Sequence, residues 1–206
     1  MNTIQLLKQI VCNTEYHAKW INTLSLMENT GARKISASEH KTDVNLIILK
    51  HAAEEHRHAY YLKKQLSKLD STICPTYANE YLLAPHNSRY YLNMLDIQVC
   101  KYLKSELNLS GNDLKFAAYL LVTYAIELRA DELYPIYQEV LDNTRSKVNV
   151  KSIILEEEGH LEEMIKQLQD FSPNWKIYAN QAVEFEVKLF KGWLLGLEKE
   201  VEKQLV

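Results

Sequence analysis

Glycine and proline are scarce in this chain, which has only five glycines and four prolines in 206 residues. Together they make up about 4 per cent of the sequence, against roughly 12 per cent in average proteins. Because these residues interrupt regular structure and form tight turns, their scarcity favours long helices. No β-rich segment stands out, so the sequence predicts an all-α fold.

Cysteines are also few, and they are not spaced as metal ligands. Cys12, Cys74 and Cys100 are an odd number, and no CxxC motif occurs. This usage is typical of free thiols in a reducing compartment rather than of a disulfide scaffold. It excludes a cysteine-ligated zinc site and a rubredoxin-type iron site.

Strong net charge and long apolar runs are absent. The formal charge of -3 gives no support to a nucleic-acid partner. No run of about 18 apolar residues is present, so we expect no transmembrane segment and no membrane partner. The N-terminal residues lack the basic start and apolar stretch of a signal peptide. A cytoplasmic protein is therefore expected.

Apolar residues recur at spacings of three and four, which predicts long amphipathic helices. The predicted helices are Thr3–Lys34, Asp43–Leu69, Ser88–Leu107, Asp113–Leu141, Val150–Phe171 and Trp175–Gln204. Four of them form two hairpins, and a crossover of roughly 40 residues containing the third helix separates the hairpins. We expect a single domain over residues 1–206, with a bundle core at about 3–171 and a covering helix at about 175–204.

Three local signals set the predicted helix boundaries. Thr42 is expected to cap the second helix, because its hydroxyl can accept a hydrogen bond from the first turn. Gly111 is expected to stop the crossover helix. Pro135 lies inside a predicted helix and should kink it or end its regular part.

Each of the four long helices carries an acid on its apolar stripe, and two of these acids are followed by a histidine three residues later. The residues are Glu28, Glu55 with His58, Glu127, and Glu157 with His160. Helical residues three apart share a face. The acids of the two hairpins are 27 and 30 residues apart, which places them at similar heights. Buried and unpaired, such charges would cost several kcal/mol each.

Two divalent metal ions would neutralise four carboxylates and engage both imidazoles. Oxygen and imidazole ligands together suit iron or manganese. A single Glu-x-x-His motif carries little weight, and the prediction depends on the two motifs, the two lone acids and the matched spacings together. The alternative is that these acids lie on solvated helix faces.

This pattern resembles the di-iron site of the ferritin-like carboxylate superfamily. The order Glu28, Glu55-x-x-His58, Glu127, Glu157-x-x-His160 is similar to the oxygen-activating branch, which includes rubrerythrin and small di-iron oxygenases. The resemblance covers about residues 1–171 and implies a ferritin-like four-helix bundle. The chain departs from complete rubrerythrins because it has no CxxC motif.

The resemblance implies a non-haem di-iron oxidase or oxygenase that holds two iron ions, with manganese as the alternative metal. Such a protein would use dioxygen, a small-molecule substrate and a separate electron donor, and the resemblance also suggests a homodimer. Two other functions stay open. One is iron handling or peroxide scavenging without a dedicated organic substrate, and the other is a metal-free helical interaction protein.

Several residues beside the predicted ligands have two interpretations. Glu54, Glu156 and Glu158 are predicted to point into solvent. His51 is either a partner or substrate contact of the site or a satisfied histidine. Tyr134 is a redox-active residue, a residue that orients a carboxylate, or a core tyrosine.

Overall fold

The computed structural model describes residues 2–69, 74–157 and 159–203, and within these ranges it contains helices and no strand. The predicted all-α class is therefore confirmed. Among the described residues, no helix combines the length and the apolar character needed to cross a membrane. The α-helices are α1 Thr3–Cys12, α2 Thr14–Ser38, α3 Leu46–Gln65, α4 Pro85–Leu107, α5 Gly111–Asn143, α6 Lys151–Glu157, α7 His160–Phe171 and α8 Trp175–Glu202. Short 3-10 helices cover Leu66–Lys68 and Asn79–Tyr81.

Two asparagines cap helices at positions that differ from the predicted helix starts. The predicted helix Thr3–Lys34 is broken at Asn13, whose side chain accepts a hydrogen bond from the Tyr16 amide and caps α2. The next helix begins after Asn45 rather than after Thr42. The Asn45 side chain accepts from two amides of the first turn of α3, so it satisfies donors that would otherwise lack partners.

The predicted helix Val150–Phe171 is also divided. It becomes α6, which ends at Glu157, and α7, which begins at His160, with Gly159 in the N-cap position of α7. The break lies between two predicted ligands and separates them onto different helices. Glycine is a poor residue for a helix interior, which is consistent with a break at this point.

Three further boundaries differ from the prediction or extend beyond what the structure describes. Gly111 is the first residue of α5 rather than the stop of the preceding helix. Pro135 lies inside α5 and does not end it. The predicted end of the last helix, Gln204, lies outside the described residues.

Helices α2 and α3 pack against each other in antiparallel fashion. Lys63 donates to the Asn22 side chain at 2.6 Å, and Ser25 donates to the Ala59 carbonyl at 2.7 Å. Residue numbers rise along α2 as they fall along α3, so Glu28 reaches the level of Glu55. This hairpin provides half of the predicted ligands.

Helix α5 runs antiparallel to α6 and α7. At one end the Val150 amide donates to Gln138 at 2.8 Å, and at the other Tyr119 contacts the Met164 sulfur at 3.8 Å. Lys50 of α3 donates to Glu163 of α7 at 2.6 Å, which joins the two hairpins. The four segments α2, α3, α5 and α6–α7 therefore surround a common centre.

Helix α8 packs against α4 and α5. Trp193 stacks between Trp20 and Tyr91, with ring centroids 5.5 and 5.6 Å away. Glu186, which is buried, accepts hydrogen bonds from Tyr91 at 2.7 Å and from Arg129 Nη2 at 2.8 Å. Aromatic stacking and a buried ion pair thus attach this helix to the bundle.

A buried histidine makes the stability of the fold dependent on pH. His17 is 1% exposed and lies 2.7 Å from the Tyr137 hydroxyl, and burial lowers the pKa of His17 to about 4. The unfolded chain takes up this proton near its ordinary pKa of 6.5. The free energy of unfolding should therefore fall as pH drops from 6.5 to about 4, by up to roughly 3 kcal/mol from this residue.

Urea denaturation at a series of pH values measures this effect. The His17→Gln variant should show a flatter dependence than the original chain over that interval. His86→Gln changes an exposed histidine and should retain the steep dependence. Equal slopes for the original chain and His17→Gln would contradict the prediction.

Candidate metal centre

The six residues predicted as metal ligands lie together in two groups at the centre of the bundle. In each group, one nitrogen or oxygen from every residue lies within 4.8 Å of the others. The first group comes from α2 and α3 and the second from α5, α6 and α7. Their members are Glu28, Glu55 and His58, and Glu127, Glu157 and His160.

Glu157 lies between the two histidines and joins the groups. Its Oε1 is 3.1 Å from Nδ1 of His58, and its Oε2 is 2.9 Å from Nδ1 of His160. Both imidazoles therefore direct the same nitrogen, Nδ1, toward the centre. A carboxylate in this position can contact two ions at once.

The outer nitrogens of the histidines also have carboxylate partners. His160 Nε2 donates to Glu54 at 2.9 Å, and His58 Nε2 donates to Glu156 at 3.0 Å. The prediction that Glu54 and Glu156 point into solvent is therefore wrong, because each side chain reaches a histidine of the opposite hairpin. Glu158 lies outside the described residues.

A signal for these partners was present in the sequence. Both motifs read Glu-Glu-x-x-His, so each predicted ligand is preceded by a second acid, at Glu54 and Glu156. A hydrogen bond from Nε2 to a carboxylate fixes the orientation of the imidazole ring and leaves Nδ1 free to bind a metal. The repeated second acid is therefore the sequence signal that indicates a carboxylate partner for each histidine.

Close packing of the acids shifts their pKa values. Burial and then the neighbouring Glu28 carboxylate raise the pKa of Glu55 well above its ordinary value. Burial and then Glu157 do the same for Glu127. Without metals, protons therefore neutralise part of the negative charge of this centre.

Glu157 and His160 instead form an ion pair, and their pKa values shift so that each charged form is favoured. Burial opposes ionisation of Glu157, but the hydrogen bond from His160 and the close approach of the His58 imidazole lower the pKa of Glu157. Burial also opposes protonation of His160, yet hydrogen bonds to Glu127 and Glu157 raise its pKa to about 11. Divalent ions would replace these protons as the positive charges of the centre.

One buried atom tests whether the residues fit a metal. Nδ1 of His58 is buried and makes no aligned hydrogen bond within the part of the chain that the structure describes, although Oε1 of Glu157 lies 3.1 Å away. A buried polar nitrogen without a hydrogen bond is costly, and coordination of a metal ion would satisfy it. Because the other donors are carboxylates and a second imidazole, the residues fit two first-row ions such as iron or manganese.

Tyr134 contacts this centre directly. It is buried, and its hydroxyl donates to Oε1 of Glu28. This contact supports the interpretation that Tyr134 orients a carboxylate. Redox activity of this tyrosine stays a prediction.

The Tyr134→Phe variant is expected to lower the affinity for the metal ion at the Glu28 group roughly ten-fold. Partners that orient metal ligands change metal affinity by about this factor. Competition with a chelator of known affinity measures the change. Tyr137→Phe is the matched control, since Tyr137 lies one turn further along α5 and bonds to His17 instead. Equal affinities of the two variants would contradict a role for Tyr134 in orienting Glu28.

His51 has partners on both ring nitrogens. Nε2 donates to Glu163 at 3.0 Å, and Nδ1 accepts from the Tyr119 hydroxyl at 2.9 Å. Its ring centroid is 5.1 Å from that of His160. The structure therefore supports the interpretation of a satisfied histidine beside the centre.

A cavity of about 390 Å³ reaches the centre from between α2, α4 and α5. Glu28, Glu55 and Glu127 are among its lining residues. Gly31 lines it beside the centre, where an added Cβ atom would be in ordinary van der Waals contact, 3.6 Å from Oε2 of Glu55. A molecule in this cavity would contact the predicted ligands.

Comparisons of the chain with protein-family models, with curated proteins and with solved structures gave no match.

Proposed function

We propose that the chain is a non-haem di-iron oxidase or oxygenase with a ferritin-like bundle. The observation that carries this proposal is the pair of Glu–Glu–His groups, one buried and one half-buried, that Glu157 joins. An apolar cavity beside the groups adds space for an organic substrate. The antiparallel packing of α2 with α3 and of α5 with α6–α7, around a long crossover, supports the ferritin-like arrangement.

Glu28, Glu55 and His58 would hold one ion, Glu127 and His160 would hold the other, and Glu157 would contact both. Bound iron would supply the one-electron chemistry that reduction of dioxygen requires. Manganese is the alternative metal, because the same donors serve both.

The other residues of the site orient and shield these ligands. Glu54 and Glu156 hold the two imidazole rings through Nε2. Tyr134 holds the Glu28 carboxylate through its hydroxyl. The apolar cavity walls keep bulk water away from the reacting atoms, which strengthens electrostatic interactions inside.

Incorporation of one oxygen atom of dioxygen into a substrate C–H bond yields an alcohol, and the other oxygen atom leaves as water. Besides the substrate and dioxygen, this reaction requires two electrons and two protons. The proposal assigns the supply of these electrons to a separate donor, either a protein or a small molecule. An oxidase that inserts no oxygen but reduces dioxygen to two waters needs the same two external electrons, because its substrate supplies only the other two.

Metal content after anaerobic loading with ferrous iron tests the proposal. We expect about two tightly held irons per chain and rapid dioxygen consumption on exposure to air. His58→Ala should lose most of this consumption, whereas His56→Ala, which changes an exposed histidine on the same helix, should not. Many irons per chain would favour iron handling, and no tight iron would favour a metal-free interaction protein.

A further inference from the structure

We propose that the cavity beside the metal centre binds a single-chain aliphatic carboxylate, with the alkyl chain near the acids and the carboxylate at the outer end by Lys115. This inference deepens the proposed function, on which it rests, by naming the substrate class. The shape of the cavity, the character of its walls and the charges that line it each support part of this assignment.

The cavity is long in the direction of the helices. On α2 it is lined from Leu24 to Ser38, and on α5 from Lys115 to Tyr134. At 1.5 Å per residue, Ser38 lies about 15 Å along the helix from Glu28. His17 contacts Tyr137 and Glu28 contacts Tyr134, so α2 and α5 are antiparallel. Lys115 therefore lies at the same end, about 18 Å along its helix from Glu127. This shape fits an extended chain better than a compact ring system.

The walls between these ends are apolar. Side chains from three helices form them: Met27, Ile35, Leu92, Leu95, Val122 and Ile126. Gly31, Ala118 and Ala130 leave room between the larger residues. Lys34 and Asp96 also line this length, but they are paired with each other. The predominantly apolar surface therefore favours an alkyl chain, since a polar chain would lose its water there without compensation.

The charges along the cavity set the chemistry of the head group. Lys34 is paired with Asp96, and Arg129 is paired with Glu186. Lys115 is exposed and has no partner among the described residues. Away from the acids of the metal centre, the lining therefore has one uncompensated positive charge, at its outer end, which favours an anionic head group.

Calorimetric titration of the iron-loaded full chain, kept anaerobic, tests the assignment with dodecanoate and dodecylamine below their micelle concentrations. We expect one dodecanoate per chain and binding of dodecylamine at least five-fold weaker. Each methylene removed, as from dodecanoate to undecanoate, should weaken binding about four-fold. Equal binding of the acid and the amine, or no binding of either, would overturn the proposal.

Two variants test the position of the ligand. Gly31→Leu places a side chain beside Glu55 and should weaken dodecanoate binding more than ten-fold, whereas Gly192→Leu, at an exposed glycine with open space around it, should not. Lys115→Glu should weaken dodecanoate binding about five-fold and remove the preference over dodecylamine, because an exposed ion pair contributes a factor of this order. An unchanged preference in Lys115→Glu would overturn the orientation, and it remains measurable if Gly31→Leu does not fold.

Iron content of the same samples separates this inference from the proposed function. Two irons per chain without dodecanoate binding would reject the substrate class and leave the metal centre intact. Dodecanoate binding to a chain that retains no iron would reject the oxidase and leave a cavity for aliphatic carboxylates. The two failures are therefore distinguishable.

Discussion

The Glu157→Ala variant is expected to lose both metal ions, whereas Glu127→Ala is expected to keep one. Glu157 lies within 3.1 Å of Nδ1 of both His58 and His160, so its removal takes a ligand from each group. Glu127 belongs to the second group alone. We expect the affinity for both ions to fall roughly a thousand-fold or more in Glu157→Ala, because even residues that only orient ligands change affinity ten- to a hundred-fold.

Elemental analysis after anaerobic loading and gel filtration measures these stoichiometries. Glu139→Ala is the control, because it removes an exposed acid from the same helix as Glu127 and should retain the full metal content. Thermal unfolding followed by circular dichroism verifies that each variant is folded. One ion retained in Glu157→Ala would mean that the two groups do not share this carboxylate.

Helical periodicity carried most of the prediction of the site. Glu55 and His58, and likewise Glu157 and His160, are three residues apart, so a helical geometry directs each pair to one point. The 3.6-residue period also placed Glu28 and Glu127 on inward faces. The structure brings these six residues together, whereas their binding of metals stays a prediction.

Contacts across helices could not be predicted in the same way. Glu54 is one residue away from a ligand and therefore lies on a neighbouring face of α3, which resembles a solvated position when only its own helix is considered. Its carboxylate is instead 2.9 Å from His160 on α7. The period of one helix does not specify which residue of an adjacent helix it faces, so this partner required the three-dimensional structure.

Helix breaks and the cavity were missed for related reasons. The break at Asn13 depends on a side chain that caps α2, and asparagine is compatible with both a helix interior and a cap. The cavity requires the position of α4 against α2 and α5, which depends on the path of the crossover. Neither local propensity nor periodicity determines that path.

Glu54→Ala and Glu156→Ala are each expected to lower the binding affinity for a different metal ion. In each case the affected ion is the one held by the ligand group of the opposite hairpin. Glu54 directly precedes the ligand Glu55 in the sequence but contacts His160. Glu156 directly precedes the ligand Glu157 but contacts His58. Each variant should reduce the affinity for one ion by about ten- to a hundred-fold. The double variant should reduce it for both, by roughly a hundred- to ten-thousand-fold overall for the pair.

Competition with a chelator measures these affinities, and two background variants identify which ion changes. In Glu28→Ala, the remaining ion belongs to the second group, so a further Glu54→Ala change should weaken it and Glu156→Ala should not. In Glu127→Ala the dependence should be reversed. Glu162→Ala, an exposed acid on α7, should have no effect in either background. If each acid instead affected the ion of its own hairpin, its influence would pass along the helix to the adjacent ligand rather than through the imidazole that it contacts.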